Sequence, residues 1–158
     1  MTDSSSALEQ LYQRPGFLLR RAHQLSVGIF EEECRAVGLT PAQYGVLTVL
    51  AAAEGIDQSA LSRALGFDRV TTLRVVRGLQ ARGLVSRAPS VHGRRLALSL
   101  TEQGRHLWCC AKEPAEQAFR RMLEPLATAE QKTLTALLHK LCAALEPAAR
   151  APMVAPID

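Results

Sequence analysis

The arginines of this chain are unevenly placed. Residues 57–100 hold eight of them (Arg63, Arg69, Arg74, Arg77, Arg82, Arg87, Arg94 and Arg95) and no lysine, against two acids, Asp57 and Asp68. That stretch carries +6 in a chain whose formal total is +4, so the remainder is acidic. Guanidiniums present a rigid fork of donors that matches phosphate oxygens and the O6/N7 edge of guanine. A basic module in an acidic frame is the electrostatic footprint of a nucleic-acid binder.

Spacing gives these cations roles. A helix capped by Asp68 turns by ~100° per residue. Thr72, Leu73, Val76 and Leu79 then gather on one side, while Val70, Thr71, Arg74, Arg77, Gly78 and Ala81 gather on the other. Small residues around two long cations let a helix sit deep in the major groove, where every base pair has a distinct pattern. Arg74 suits guanine, Val70 a thymine methyl, and Thr71 a base edge or a phosphate. The helix start, with Arg69, favours phosphate. Ser59, Arg63 and Gln58, just upstream, are further phosphate candidates. Downstream, His92-Gly93-Arg94-Arg95 marks a hairpin tip. Strand alternation sends Arg94 and Arg95 to opposite faces, so one addresses a minor-groove floor and the other a phosphate. Arg94 is assigned to the groove.

These side chains need a frame. Residues 1–12 read as a flexible lead. Pro15 suits a helix start, and apolar residues at helical spacing run from Phe17 to about Val37, before Gly38. Thr40, with Pro41 and Gln43, opens a second helix, Asp57 caps a short one over 58–65, and Gly66-Phe67 turns into the Asp68 helix. Leu84–Arg87 and Arg94–Leu100 read as two strands around turn material at Pro89–Gly93, with Leu96, Leu98 and Leu100 on one side. Thr101 opens a helix that Pro114 should interrupt or restart. Thr128 caps a last one, and the tail from Pro147 is irregular. The fold class expected is mainly α with a small β-hairpin: a winged helix-turn-helix with a helical dimerisation platform. One domain spans 13–146, with dimerisation helices at about 13–37 and 102–146, a DNA-binding lobe at about 40–100, and an irregular tail at 147–158. The apolar stripes of the end helices are broader than one small core needs, which points to a second copy.

Other function classes find little support. There is no P-loop, GxGxxG after a strand, HExxH or GxSxG, so no enzyme is expected. The histidines (His23, His92, His106 and His139) lack metal-ligand spacing, so no metal or cofactor is expected. No apolar run reaches the ~20 residues of a membrane span, and the polar start lacks a signal peptide, so a cytoplasmic protein is expected. The cysteines (Cys34, Cys109, Cys110 and Cys142) show no CxxC spacing. A redox sensor using Cys34 or Cys109-Cys110 is the alternative, although Glu31, Glu32 and Glu33 before Cys34 should raise its pKa.

Several stretches resemble the MarR family of bacterial regulators: Asp68-Arg69-Val70-Thr71-Thr72, then Leu79 to Val85 with Arg82-Gly83-Leu84, and Arg94 seven residues before Thr101-Glu102-Gln103-Gly104. Leu39-Thr40-Pro41-Ala42-Gln43-Tyr44 is also similar to the start of that family's second helix. The resemblance covers about residues 15–145. It implies a triangular homodimer on double-stranded DNA at a pseudo-palindrome, acting as a repressor released by a small ligand. One departure is His92, where the family commonly has an Asp that helps hold the wing. The run Pro15 to His23 resembles members that control aromatic-acid catabolism, such as nicotinate-pathway repressors. The resemblance implies a pocket between platform and lobe. Arg20, His23, Ser26, Tyr44 and Trp108, with His106 nearby, are its candidate lining, and a buried arginine beside an aromatic would suit a small aromatic carboxylate. Trp108 and His23 also suit plain structural roles.

Overall fold

The computed structural model describes the backbone of residues 3–90 and 93–155 and the side chains of residues 6–89 and 96–155. Its elements run α1 (Asp3–Tyr12), α2 (Pro15–Glu33), α3 (Pro41–Ala52), β1 (Ile56–Asp57), α4 (Gln58–Leu65), α5 (Arg69–Ala81), β2 (Val85–Ser90), β3 (Gly93–Leu100), α6 (Glu102–Leu123) and α7 (Thr128–Leu145), closed by a 3-10 turn at Glu146–Ala148. Helices α3 to α5 and the antiparallel sheet, ordered β1-β3-β2, form the winged helix-turn-helix lobe.

Local chemistry sets most boundaries. Thr40 and Gln43 form a reciprocal capping box at the start of α3, and Asp57 accepts from Ala60 N–H at 2.8 Å to start α4. Gly66, at φ +62°, ends α4 in the left-handed conformation that glycine adopts without a Cβ penalty. The lobe core joins Val46, Leu47 and Leu50 of α3 to Leu61 of α4, Val76 and Leu79 of α5, and Leu84, Val85 and Leu98 near and in the sheet. Leu98 and Leu100 point inward as the alternation requires, but Leu96 is 50% exposed because it lies out along the wing, past the core.

Several expectations need correcting. The expected loose lead over 1–12 carries α1, whose Tyr12 ring lies 5.2 Å from that of Phe17. The helix expected to reach Val37 stops at Glu33, and a turn follows to Gly38 (φ +60°). A third strand, β1, was not expected; Ile56 pairs with Leu98 and Asp57 with Ala97. Pro89, Ser90 and Gly93, expected as turn, lie in the strands, with an irregularity between Pro89 and Ser90. Pro114 does not break α6. A proline there forfeits one backbone bond, but Ala111, Ala115 and Ala118 are buried on the same helix, the last two beside Phe30 and Cys34 of the α2 end. Close helix contact through these small residues offsets that loss. Thr128 is the first helical residue of α7 rather than its cap; the Glu130 carboxylate accepts from Ala127 N–H at 2.8 Å. Among the described residues, no helix is long and apolar enough to cross a membrane.

Candidate nucleic-acid interface

The putting-in-place of α5 begins at Asp68. Its Oδ1 accepts from Thr71 N–H at 2.7 Å, and its Oδ2 accepts from the Thr71 hydroxyl at 2.9 Å. These bonds, the backbone one first, hold the Asp68 carboxyl below its usual range. Behind the cap runs a buried hydroxyl chain. The Ser62 hydroxyl lies 2.9 Å from both the Gln58 carbonyl and Thr72 Oγ1, and Thr72 donates to the Asp68 carbonyl at 2.9 Å. This chain fixes α5 against α4. At its other end Arg82 donates to the Gly38 and Val37 carbonyls at 2.7 and 3.3 Å, tying α5 to the turn after α2.

With α5 pinned at both ends, its outer face is free. Thr72, Val76 and Leu79 are fully buried, while Val70 is 77% exposed. Arg69, Arg74, Arg77 and Ala81 are exposed too, and Thr71 is half-buried. An exposed valine between exposed arginines gives this face an apolar group that can meet a thymine methyl in a major groove. The split of faces follows the sequence expectation, except that Leu73 is only half-buried. The Thr71 proton is committed to Asp68, so this hydroxyl meets a partner as an acceptor.

Around α5, Ser59 and Arg63 are exposed on α4. Gln58 is half-buried, and its Oε1 accepts from Arg87 of β2 at 2.8 Å, which braces the wing. Arg94 and Arg95 lie on the backbone of β3, and their side chains fall outside the described residues. His92 also lies outside them. The Ser62–Thr72 chain, the Arg82 clamp and the Gln58–Arg87 brace were missed from sequence. The arginines were visible, but their partners lie on distant elements.

The expected ligand residues divide. Tyr44 packs against Phe30, ring centroids 5.6 Å apart, and the Trp108 indole donates to Thr48 at 3.1 Å beneath the Lys112 ammonium. Arg20, expected buried, is exposed in the single chain, its guanidinium 4.9 Å over Phe17. Exposed His23 is on α2, and Ser26 donates to its carbonyl at 3.1 Å. Among the described residues, no hydrogen bond or ring contact joins Arg20, His23 or Ser26 to Tyr44 or Trp108. Cys34 is fully buried, and burial first, then Glu33, raises its thiol pKa, the reverse of what a reactive thiolate needs. No three metal-ligating side chains gather among the described residues.

Comparison with known proteins places this geometry. The model of the MarR family matches residues 37–96, from the turn after α2 into the wing. The HTH-type transcriptional repressor NicR of Pseudomonas putida is 30% identical over 145 residues, covering 89% of this chain and 92% of that one. A probable transcriptional regulator from Pseudomonas aeruginosa superposes with a TM-score of 0.80 at 36% identity, covering 83% of this chain and 98% of that one. Bordetella bronchiseptica BpsR, whose DNA binding is regulated by 6-hydroxynicotinic acid, superposes with a TM-score of 0.77 at 30% identity, covering 82% and 94%.

Proposed function

This chain belongs to the MarR family of DNA-binding transcriptional regulators, a non-enzymatic family, and on that premise we propose that it is a homodimeric repressor of a pseudo-palindromic operator, released by a small aromatic acid. The observation that carries the reading is the outer face of α5. Val70, Thr71, Arg74 and Arg77 line a helix whose cap, buried hydroxyl chain and Arg82 clamp fix its orientation. Arg74 reads guanine; Arg69, Arg63 and Ser59 hold phosphates; Arg94 and Arg95 extend the contact from the wing.

The second copy is supported by uncovered apolar surface. Leu137 and Leu145 of α7 are 59% and 58% exposed, and Leu18, Leu25 and Phe119 add exposed surface on α2 and α6. Exposed apolar faces of helices mark interaction sites, and a two-fold partner covers the same patch on both chains. Such a dimer sets its two α5 helices about one DNA turn apart, ~34–36 Å. A ligand that binds a different spacing more tightly shifts the population away from DNA.

For the ligand, the support is the likeness to BpsR together with the Arg20, Phe17, His23 and Ser26 group on α2 and the Tyr44 and Trp108 rings. An aromatic carboxylate would pair its charge with Arg20 and stack its ring. The test is fluorescence anisotropy on the duplex upstream of the protein's own gene, with and without 6-hydroxynicotinate, nicotinate, benzoate and hydroxycinnamate. Weaker binding and a raised melting temperature with at least one are expected. Tight DNA binding that none of them alters would remove the aromatic ligand and leave the DNA reading standing.

A further inference from the structure

The chain beyond α7 returns to the DNA-binding lobe. After the 3-10 turn at Glu146–Ala148, Met153 N–H donates to the Glu146 carboxylate, and Val154 N–H donates to the Arg63 carbonyl at 2.9 Å. Met153 and Ala151 lie over Gly66: a Cβ there would stand 3.7 Å from Met153 Cβ and 3.8 Å from the Ala151 carbonyl oxygen. Residues 149–155 thus form a strap across the α4–α5 turn. Between strap and turn is a cleft of about 440 Å³. Arg63, Arg69 and Ser59 line it from the helices and Arg150 from the strap. Asp68 is also in the wall, where its oxygens accept from the Thr71 N–H and hydroxyl, so the cleft holds three cations against one anion. Among the described residues, none of the three guanidiniums has an ion-pair or hydrogen-bond partner through its side chain. Three cations on one cleft repel each other weakly, and a shared oxyanion reverses that sign.

We propose that the strap is a further DNA contact, in which Arg150 joins Arg63 and Arg69 to grip one phosphodiester beside the first turn of α5. The inference rests on the DNA-binding reading above. It goes beyond that reading by assigning the C-terminal segment a part in the grip. Asp68 and Arg69, where the reading helix begins, are part of the cleft wall, so the oxyanion assigned to it is the backbone phosphate flanking the groove. The Val154–Arg63 bond seats the strap, and Arg150 supplies the charge.

The experiment measures log K against log salt for the full-length dimer on the upstream duplex and on a random-sequence duplex, by anisotropy. Wild type is compared with Arg150→Ala, Arg150→Lys, Val154→Pro and a chain ended after Ala148. Circular dichroism verifies the fold of each. Each lost phosphate contact lowers the slope by ~0.9, so Arg150→Ala and the truncation should lower it by ~1.8 per dimer on both duplexes. Arg150→Lys should keep the slope, and Val154→Pro, which retains the charge and deletes the latch, should lower it. Equal slopes for Arg150→Ala and wild type overturn the proposal, as does tighter binding after truncation, which would make the strap a cover. The proposal also fails if inorganic phosphate protects wild type but not Arg150→Ala from heat while DNA slopes match, which would assign the cleft to a free anion. A wild type with no salt-dependent binding would instead overturn the DNA reading itself.

Discussion

Replacing Gly104 with alanine should unseat the joint between the winged-helix lobe and α6. Gly104 lies in the first turn of α6, where its N–H donates to Thr101 Oγ1 at 2.9 Å while the Thr101 hydroxyl donates to the Gly83 carbonyl at 2.7 Å. A Cβ on residue 104 would stand 1.9 Å from the Leu84 carbonyl oxygen and 2.9 Å from its carbon. A close carbon–oxygen contact is ~3.3 Å, so backbone must move by roughly 1.4 Å. The atom met is main chain, in a residue that is itself core, so no side-chain rotation absorbs the shift. Overpacking of this kind costs ~1–3 kcal/mol, and losing the Thr101 N–H bond to Leu84 (3.1 Å) and the Thr101–Gly83 bond adds ~1 kcal/mol each. The total of roughly 3–5 kcal/mol is a large share of the ~5–15 kcal/mol that holds a domain folded. Urea unfolding followed by circular dichroism reads it directly. Gly78→Ala is the contrast: the nearest atom to its new Cβ is the Gln43 amide nitrogen at 4.0 Å, and a mid-helix alanine gains ~0.5–1 kcal/mol. A Gly104→Ala protein within ~1 kcal/mol of wild type would refute the close approach.

Thr72→Val should cost only ~1 kcal/mol, measured by the same unfolding, because the Asp68 carbonyl keeps the Thr72 N–H at 3.0 Å and Ser62 keeps the Gln58 carbonyl. Asp68 gives a pH dependence of known sign. Its folded pKa lies below the unfolded one, so its contribution is full above the ordinary value of ~3.9 and is lost as pH falls through the folded value. Asp68→Asn, which retains an acceptor, should therefore lose less stability than wild type over that acid range; parallel acid titrations of the two would contradict the cap. Leu137→Glu, on the exposed face of α7, should yield a folded monomer by sedimentation, with weakened operator binding.

The sequence carried what is local. Thr40, Asp57 and Asp68 sit one residue before their helices because a short oxygen acceptor there satisfies an orphan N–H, and that chemistry needs no knowledge of the rest of the chain. The two faces of α5 were legible for the same reason, since periodicity is a property of one segment. What escaped was non-local. Ile56-Asp57 is too short to show alternation and becomes a strand only because β3 lies beside it. Pro114 carries a local stop signal that the buried Ala111, Ala115 and Ala118 stripe overrides. The Arg82 clamp spans 44 residues and the Gln58–Arg87 brace 29. For the ligand group, Tyr44 and Trp108 could be singled out by type, yet their anchoring to Phe30 and Thr48 depends on how α2, α3 and α6 meet.

The claim that α5 reads DNA sequence is tested most directly by Arg74→Ala. Its affinity for the upstream duplex and for a random duplex should be compared with wild type at one salt concentration. Loss of a bidentate guanine contact should weaken specific binding by ~1–3 kcal/mol, roughly five- to 160-fold, and leave random-duplex binding nearly unchanged. Equal weakening on both duplexes would make Arg74 a phosphate contact and contradict its assignment to the reading face.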